Sequence, residues 1–402
     1  MPDPIFSKVL IIGAGPSGAF LAYLLAHQGI EVLLVDKAFF PREKVCGDAL
    51  ISDSLQALER AGLYDLVARQ AHPVNRLQLI APDRSSVNLN YESLTIKRYD
   101  FDHLLLEQAI RAGTLVLQGT KIVDFIEEKG AIVGVRAKTH DGKEVIIRSD
   151  LTVLATGAAT PLIKKAHLLE TPLPSAFAVR AYHHGELNGF SGQLTIFYER
   201  ALLPGYAWIF PLGPEVYNIG CSVFLDNVTG RQTPNLRSVF NSFLIRLAAS
   251  NPSLDLKQLN TSLKGAPLRT GLTGSRLYGD GIMAVGESIG VTYPLTGEGI
   301  GKSLESAEVA AEVITEAVHQ GDFSSHFLLK YKFLMGARFG RRYRSYASAQ
   351  RWAKYPFILN FVSDRVRKNV VLRRRIESIL DEKQDPTEIF SLWGLVKTFA
   401  CC

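Results

Sequence analysis

Val9-Leu-Ile-Ile12 is an unbroken apolar run near the start of the chain. Its lack of polar alternation predicts a short strand buried on both faces, as in a parallel sheet. From Ala19 to Gln28 the pattern is helical and stops at Gly29, and Glu31 to Val35 reads as a second strand. Val9–Ala26 holds only Ser17 and Tyr23 as polar residues and is long enough for a membrane helix. The glycines and Pro16 in its first half predict strand, turn and helix instead. Lys121 to Ala155 reads as three short strands, with turns at Glu127–Gly130 and at Thr139–Gly142, the latter an Asp-Gly hairpin signal. Further strands are expected near Phe177–Glu186, Gln193–Glu199, Glu215–Phe224 and Gly281–Glu287. A turn at Pro294–Ile300 then opens a helix that reaches about Val318, and the pattern is helical from Phe323 onward.

The first turn carries recognisable chemistry. Gly13-Ala-Gly15-Pro-Ser17-Gly18 stands between the first strand and its helix, and Asp36 ends the second strand. Gly13 allows the tight turn, Gly15 lets backbone approach a pyrophosphate, and Gly18 lets the helix pack close to the strand. The helix N-terminus offers free N–H groups to the anion, and Asp36 can accept hydrogen bonds from ribose hydroxyls. A dinucleotide site is therefore expected.

Together with Leu151-Thr-Val-Leu-Ala155-Thr156-Gly157 and Gly281–Glu287 followed by Pro294-Leu-Thr-Gly297-Glu-Gly299-Ile300, this turn resembles the FAD-dependent family of aromatic hydroxylases, flavin halogenases and geranylgeranyl reductases. The resemblance covers most of residues 8–320. It implies a Rossmann-type α/β FAD-binding domain interleaved with an antiparallel β-sheet substrate domain, followed by a C-terminal helical segment. The implied pieces are 1–75, 98–170 and 270–322 for FAD, 76–97 and 171–269 for substrate, and 323–402 for the helices. Ser17, Lys37, Arg42 and Arg98 are the implied polar contacts to the cofactor. Glu287 takes the place of the usual aspartate on the ribityl chain, and the backbone of Pro294, Gly297, Gly299 and Ile300 is expected beside flavin and pyrophosphate. Thr156-Gly157 stands where hydroxylases carry Asp-Gly, and no second nucleotide turn is present. NAD(P)H, NADP-linked or not, and ferredoxin thus remain open as electron donors.

Two segments are similar to geranylgeranyl reductases in particular: Phe40-Pro-Arg42-Glu-Lys-Val-Cys46-Gly47-Asp48-Ala49, with Ala49 where glycine is commoner, and Tyr206-Ala-Trp208-Ile-Phe210-Pro211. The resemblance implies hydride transfer from N5 of reduced flavin to a double bond of an isoprenoid (geranylgeranyl-type) chain. The protein would supply an apolar channel, orientation and a proton. Tyr206 and Trp208 share one face of their strand and suit an isoprenoid wall. Cys46 and Tyr206 are the proton-relay candidates. The alternative is an FAD monooxygenase or halogenase acting on a hydrophobic substrate through a flavin hydroperoxide. A flavin-binding scaffold without catalysis is the reading outside enzymes. Lys44 reads as an ordinary surface lysine, Cys221 as core, and His183-His184, without a Cys or acid at ligand spacing, as no metal site. Thr296-Gly-Glu-Gly-Ile-Gly301-Lys302-Ser303 nearly spells a triphosphate-binding loop but begins with Thr296, so it is assigned to the flavin motif.

Composition changes this picture in one place. The net charge of +6 conceals a split: Lys330–Arg375 holds 14 Lys and Arg against the single acid Asp364, and the remainder sums to −7. Interleaved with Tyr355-Pro-Phe-Ile-Leu-Asn-Phe-Val362, these charges suit peripheral contact with an anionic membrane or recognition of a substrate diphosphate. No motif points to nucleic acid. Four cysteines cannot make a disulfide framework, which favours a reducing, cytoplasmic setting. Met1–Lys8 is too poor in charge for a leader, and Cys401-Cys402 reads as a simple tail.

Overall fold

The computed structural model describes residues 4–171, 174–225 and 234–390. Two eight-stranded sheets divide the strands. In the first, Ile5–Ile12 lies between Val32–Val35 and Glu144–Leu154, parallel to both, with Val9 opposite Val32 on one side and Leu151 on the other. Leu115–Leu117 and Ile282–Ala284 extend it in parallel at the two ends, and Tyr278–Gly279 closes one edge. Thr120–Glu128 and Ala131–Thr139 continue Glu144–Leu154 as an antiparallel meander. Val9, Leu10 and Ile11 are fully buried, as their unbroken apolar pattern requires. Helices Pro16–His27, Arg98–Arg111 and Ile300–Gln320 pack together beside this sheet.

The first helix begins at Pro16, three residues before its expected start. Gly15 is the N-cap and Pro16 occupies the first helical position, where its missing N–H costs nothing. The strand expected over Gly281–Glu287 stops at Ala284, and Glu287 belongs to a 3₁₀ turn, Gly286–Ile289. Gly286 has φ +64°, and a Cβ there would fall 2.3 Å from Ser17 Oγ, so the turn can pass over the first helix only as glycine.

The second sheet runs Lys264–Leu268, Ala176–His184, Val216–Phe224, Ala207–Pro211, Leu194–Phe197, His72–Ile80, Ser86–Thr95, Ala49–Leu50. It corrects the expectation of an antiparallel sheet. Leu194–Phe197 pairs in parallel with His72–Ile80, Leu194 opposite Leu77. These two strands come from segments separated by four strands of the first sheet, so no hairpin turn sets their relative direction. The period of two divides the Ala207–Pro211 region between two cores. Ala207 and Ile209 pack with Phe240, Phe243 and Leu244 of helix Leu236–Ala248, while Tyr206, Trp208 and Phe210 join Leu77 and Leu89.

The C-terminal region is helical as expected, in Ser325–Trp352, Pro356–Lys368, Val370–Leu380 and Thr387–Phe390. Its apolar face is built into the molecule. Val366, Leu372, Ile379 and Ile389 complete the core around Trp208, and the two middle helices pack on Ser86–Thr95. Cys401 and Cys402 lie outside the described residues. Among the described residues, no helix is long and apolar enough to cross a membrane.

Candidate functional site

A single cavity of about 1090 Å³ begins at the first glycine-rich turn and runs between the two sheets to the C-terminal helices. Its first part is the nucleotide groove. Asp36 accepts from the backbone N–H of Ala14 and of Ala38, both at 2.8 Å, which fixes the carboxylate at the end of its strand. A Cβ on Gly13 would fall 2.4 Å from Ala155 O, and one on Gly18 would fall 1.8 Å from Gly13 O. These two glycines hold strand and helix together. Gly15 differs: a Cβ there would meet only the guanidinium ends of Arg42 at 3.5 Å and Arg98 at 3.9 Å, so its backbone faces open groove.

The two arginines converge on one carboxylate. Arg98 binds Asp102 through Nε at 2.5 Å and Nη2 at 2.7 Å, and Arg42 Nη1 stands 3.2 Å from Asp102 Oδ2. Burial works against the Arg98 charge, but the Asp102 carboxylate outweighs it and drives the pKa up. Arg42 Nη1 is buried and, apart from this ion pair with Asp102, meets no hydrogen-bond acceptor among the described residues. Open backbone at Gly15, the Arg42 and Arg98 guanidinium ends beside it and the Asp36 carboxylate fit the pyrophosphate and ribose of FAD.

Ser17, Lys37, Cys46, Gly47, Ala155, Thr156, Gly157, Glu287, Gly297, Gly299 and Ile300 also line the cavity. Pro294 does not, and Gly18 acts in packing rather than lining. Burial pushes the Glu287 carboxyl up against the pull of Lys44, and Glu287 Oε1 accepts from Arg269 N at 3.2 Å. Lys44, expected on the surface, is a half-buried lining residue.

Beyond the groove the cavity turns apolar. Tyr206, Trp208 and Phe210 form an aromatic row with ring centroids 6.1 and 6.2 Å apart, faced by Leu77, Leu89, Val362 and Ile376. Trp208 Nε1 donates to Asn218 Oδ1 at 2.9 Å, and Asn218 Nδ2 donates to Cys46 O and Asp48 Oδ2, both at 2.8 Å. Asp48 also accepts from Tyr182 Oη at 2.7 Å and Arg98 N at 3.2 Å, while burial lifts its carboxyl to about 6. Burial likewise raises the Cys46 thiol, with the Arg98 charge pulling against it. Tyr206 donates its hydroxyl proton to Thr296 O, and burial raises its pKa. Cys46, Tyr206 and Trp208 are thus brought to one cavity.

Asp48, Asn218 and Glu298 were not among the residues expected from the sequence. Asn218 had a visible signal, a lone amide opening the apolar run Asn218-Ile-Gly-Cys-Ser-Val. Glu298 had another, an acid between two glycines in a turn valued for its backbone. Cys221 is fully buried core, and His183 is a buried ring beside Tyr217. Lys302 of the loop that resembles a triphosphate site points inward to Asp53, Glu305 and Glu382.

Comparison with known proteins agrees with this geometry. Residues 7–173 match the FAD binding domain family. A digeranylgeranylglycerophospholipid reductase of Methanopyrus kandleri is 27% identical, over 81% of this chain and 84% of its own length. A geranylgeranyl bacteriochlorophyll reductase-like structure from Thermoplasma acidophilum superposes with a TM-score of 0.80 at 21% identity, covering 99% of this chain and 96% of its own. A flavin-dependent brominase superposes at 0.71 with 21% identity, covering 98% and 99%. The brominase shares the fold, which the two chemistries have in common.

Proposed function

We propose, from the premise that the chain is an FAD-dependent oxidoreductase of the geranylgeranyl reductase-like family, that it reduces carbon-carbon double bonds of an isoprenoid chain carried by a lipid. The observation that carries this reading is the continuity of the cavity. One end is cationic and glycine-rich, and the other is an aromatic and aliphatic chamber suited to a long prenyl chain. Bound FAD, once reduced, supplies hydride. The chain's own residues do the rest. Arg42, Arg98, Asp36 and the Gly13–Gly18 turn hold the cofactor, and the backbone at Gly297–Ile300 supports its ring end. Tyr206, Trp208 and Phe210 align the prenyl chain and exclude water, while the hydrogen-bond network of Asn218 and Asp48 fixes the Cys46 loop against them. FAD-binding pieces at 1–75, 98–170 and 270–322 and a substrate domain at 76–97 and 171–269 remain the proposed division.

We also place the lipid's entry at the C-terminal helices. Pro356–Lys368 lines the cavity through Ile358, Leu359 and Val362 and exposes Phe357 beside Tyr355; Val370 and Val371 are exposed just beyond. Arg365, Arg367 and Lys368 lie on the same helix, a combination that suits peripheral docking on an anionic bilayer. Part of the segment's charge is neutralised at home: Lys330 pairs with Glu316, Arg338 with Glu312 and Arg342 with Glu382. On the outer helices Arg367 and Lys368 share the single carboxylate of Asp364, so with exposed Arg374 and Arg375 these helices stay net positive and form the contact.

The test is the mass of the product. Purified protein with a reductant and a prenyl lipid should give a lipid heavier by pairs of hydrogens. A product heavier by one oxygen, formed only in air, contradicts the proposal in favour of the monooxygenase reading.

A further inference from the structure

Reducing an unactivated alkene needs a proton as well as a hydride, and the two candidates expected from the sequence are poorly placed to give one. The Tyr206 hydroxyl already spends its proton on Thr296 O. The Cys46 thiol lies beside the Arg98 guanidinium, and burial lifts its pKa above the ordinary thiol value. Against Tyr206 lies the turn Thr296-Gly297-Glu298-Gly299. A Cβ on Gly297 would stand 3.0 Å from Tyr206 Oη, so this turn is pressed against the aromatic wall. Glu298 is half-buried and lines the cavity together with Thr296, Gly297 and Gly299.

We infer that Glu298 is the catalytic acid, delivering its carboxyl proton to the alkene carbon that does not receive hydride. This rests on the isoprenoid reductase reading and supplies its missing proton source. In the step, the Glu298 O–H bond breaks and the alkene π pair takes the proton to form one C–H bond. Hydride, with its own electron pair, forms the other C–H bond. Reduced FAD is oxidised, the alkene is reduced, and the carboxylate left behind is reprotonated from solvent.

The surroundings of Glu298 keep it in the acid form between turnovers. Burial raises its pKa well above the ordinary carboxyl value, and the nearby carboxylates Asp53 and Glu382 add to the rise. Lys302 opposes it, but Asp53, Glu305 and Glu382 already take up that cation. The remaining neighbours are hydroxyls: that of Thr296, which also opposes the rise, and those of Tyr91, Tyr198, Tyr206 and Tyr346, each with a raised pKa and neutral near pH 7. Among the described residues Tyr91 Oη has no hydrogen-bond partner, and Tyr91 lines the same cavity. A carboxyl protonated near neutrality is matched to general-acid work.

The experiment compares the FAD-loaded protein with Glu298→Gln, an isosteric change that keeps the flavin colour as a check on folding. Infrared spectra at neutral pH should show the carbonyl stretch of a protonated carboxylic acid, shifted in heavy water and absent from the variant. Anaerobic reoxidation of the photoreduced flavin by a prenyl lipid should slow roughly 100-fold or more in the variant. In the wild type this rate should fall on the alkaline side as Glu298 ionises. An unchanged rate in Glu298→Gln, or a wild type whose spectrum loses no such band on substitution, overturns the assignment. If the substrate reading itself fails, the wild type is not reoxidised by the lipid and both proposals fall together.

Discussion

Trp208 donates its indole N–H to Asn218 Oδ1 at 2.9 Å, and the same amide bonds the loop that carries Cys46 and Asp48. One side chain therefore couples the substrate wall to the cofactor loop. Gly220, opposite Trp208 on the neighbouring strand, makes room for this arrangement, because a Cβ there would fall 2.2 Å from Trp208 Cζ2.

Replacing Asn218 with Leu strands the indole N–H and the Cys46 carbonyl and takes one hydrogen bond from Asp48, which keeps those from Tyr182 and Arg98. A buried polar group left unpaired costs about 1–3 kcal/mol, so the variant should lose at least ~2 kcal/mol in denaturant unfolding. Combined with Trp208→Phe, the loss should be less than additive, since both changes remove one shared bond. Strict additivity would mean that the bond contributes nothing.

Gly18→Ala should abolish FAD binding, because its methyl would lie 1.8 Å from Gly13 O and force the first helix off its strand. Gly336→Ala is the control: a Cβ there meets nothing within 4 Å, so stability should hold or rise by about 0.5–1 kcal/mol. Flavin content after reconstitution reads both. A yellow Gly18→Ala protein would contradict the packing account.

Lys302 should prove structural. Its side chain and that of Asp53 are each 1% exposed and lie 3.4 Å apart. Removing one partner of such a pair leaves uncompensated buried charge and costs roughly 3–5 kcal/mol. Lys302→Met should therefore lower the melting temperature markedly, while the wild type shows no saturable binding of a nucleoside triphosphate. Equal melting temperatures would refute this.

Asp48 makes stability depend on pH in an unusual direction. Its carboxyl is lifted from 3.8 to about 6 by burial, so between these values the folded protein binds the proton that the unfolded chain has lost. Stability is then full below about pH 4 and falls as pH rises through about 6, by roughly 3 kcal/mol for this group alone. Asp48→Asn should flatten that part of the profile, as measured by urea unfolding at several pH values.

Much of this was legible in the sequence because the chemistry there is local. Gly13, Gly15, Gly18 and Asp36 belong to one short strand-turn-helix-strand unit, where spacing alone sets geometry. Tyr206 and Trp208 share a face because a strand alternates. The parallel pairing of Leu194–Phe197 with His72–Ile80 was not legible, because it joins distant segments with no turn between them. The Asp48–Asn218 bond spans 170 residues and leaves no periodic trace. The C-terminal helices showed their charge but not their task, since Val366, Leu372 and Ile376 reveal a cavity wall only once folded over the second sheet.

Flavin reoxidation in the absence of oxygen tests the central claim most directly. Photoreduced protein mixed anaerobically with a prenyl lipid should regain its yellow colour and yield a lipid with fewer double bonds. Flavin that stays reduced until air is admitted would contradict the account.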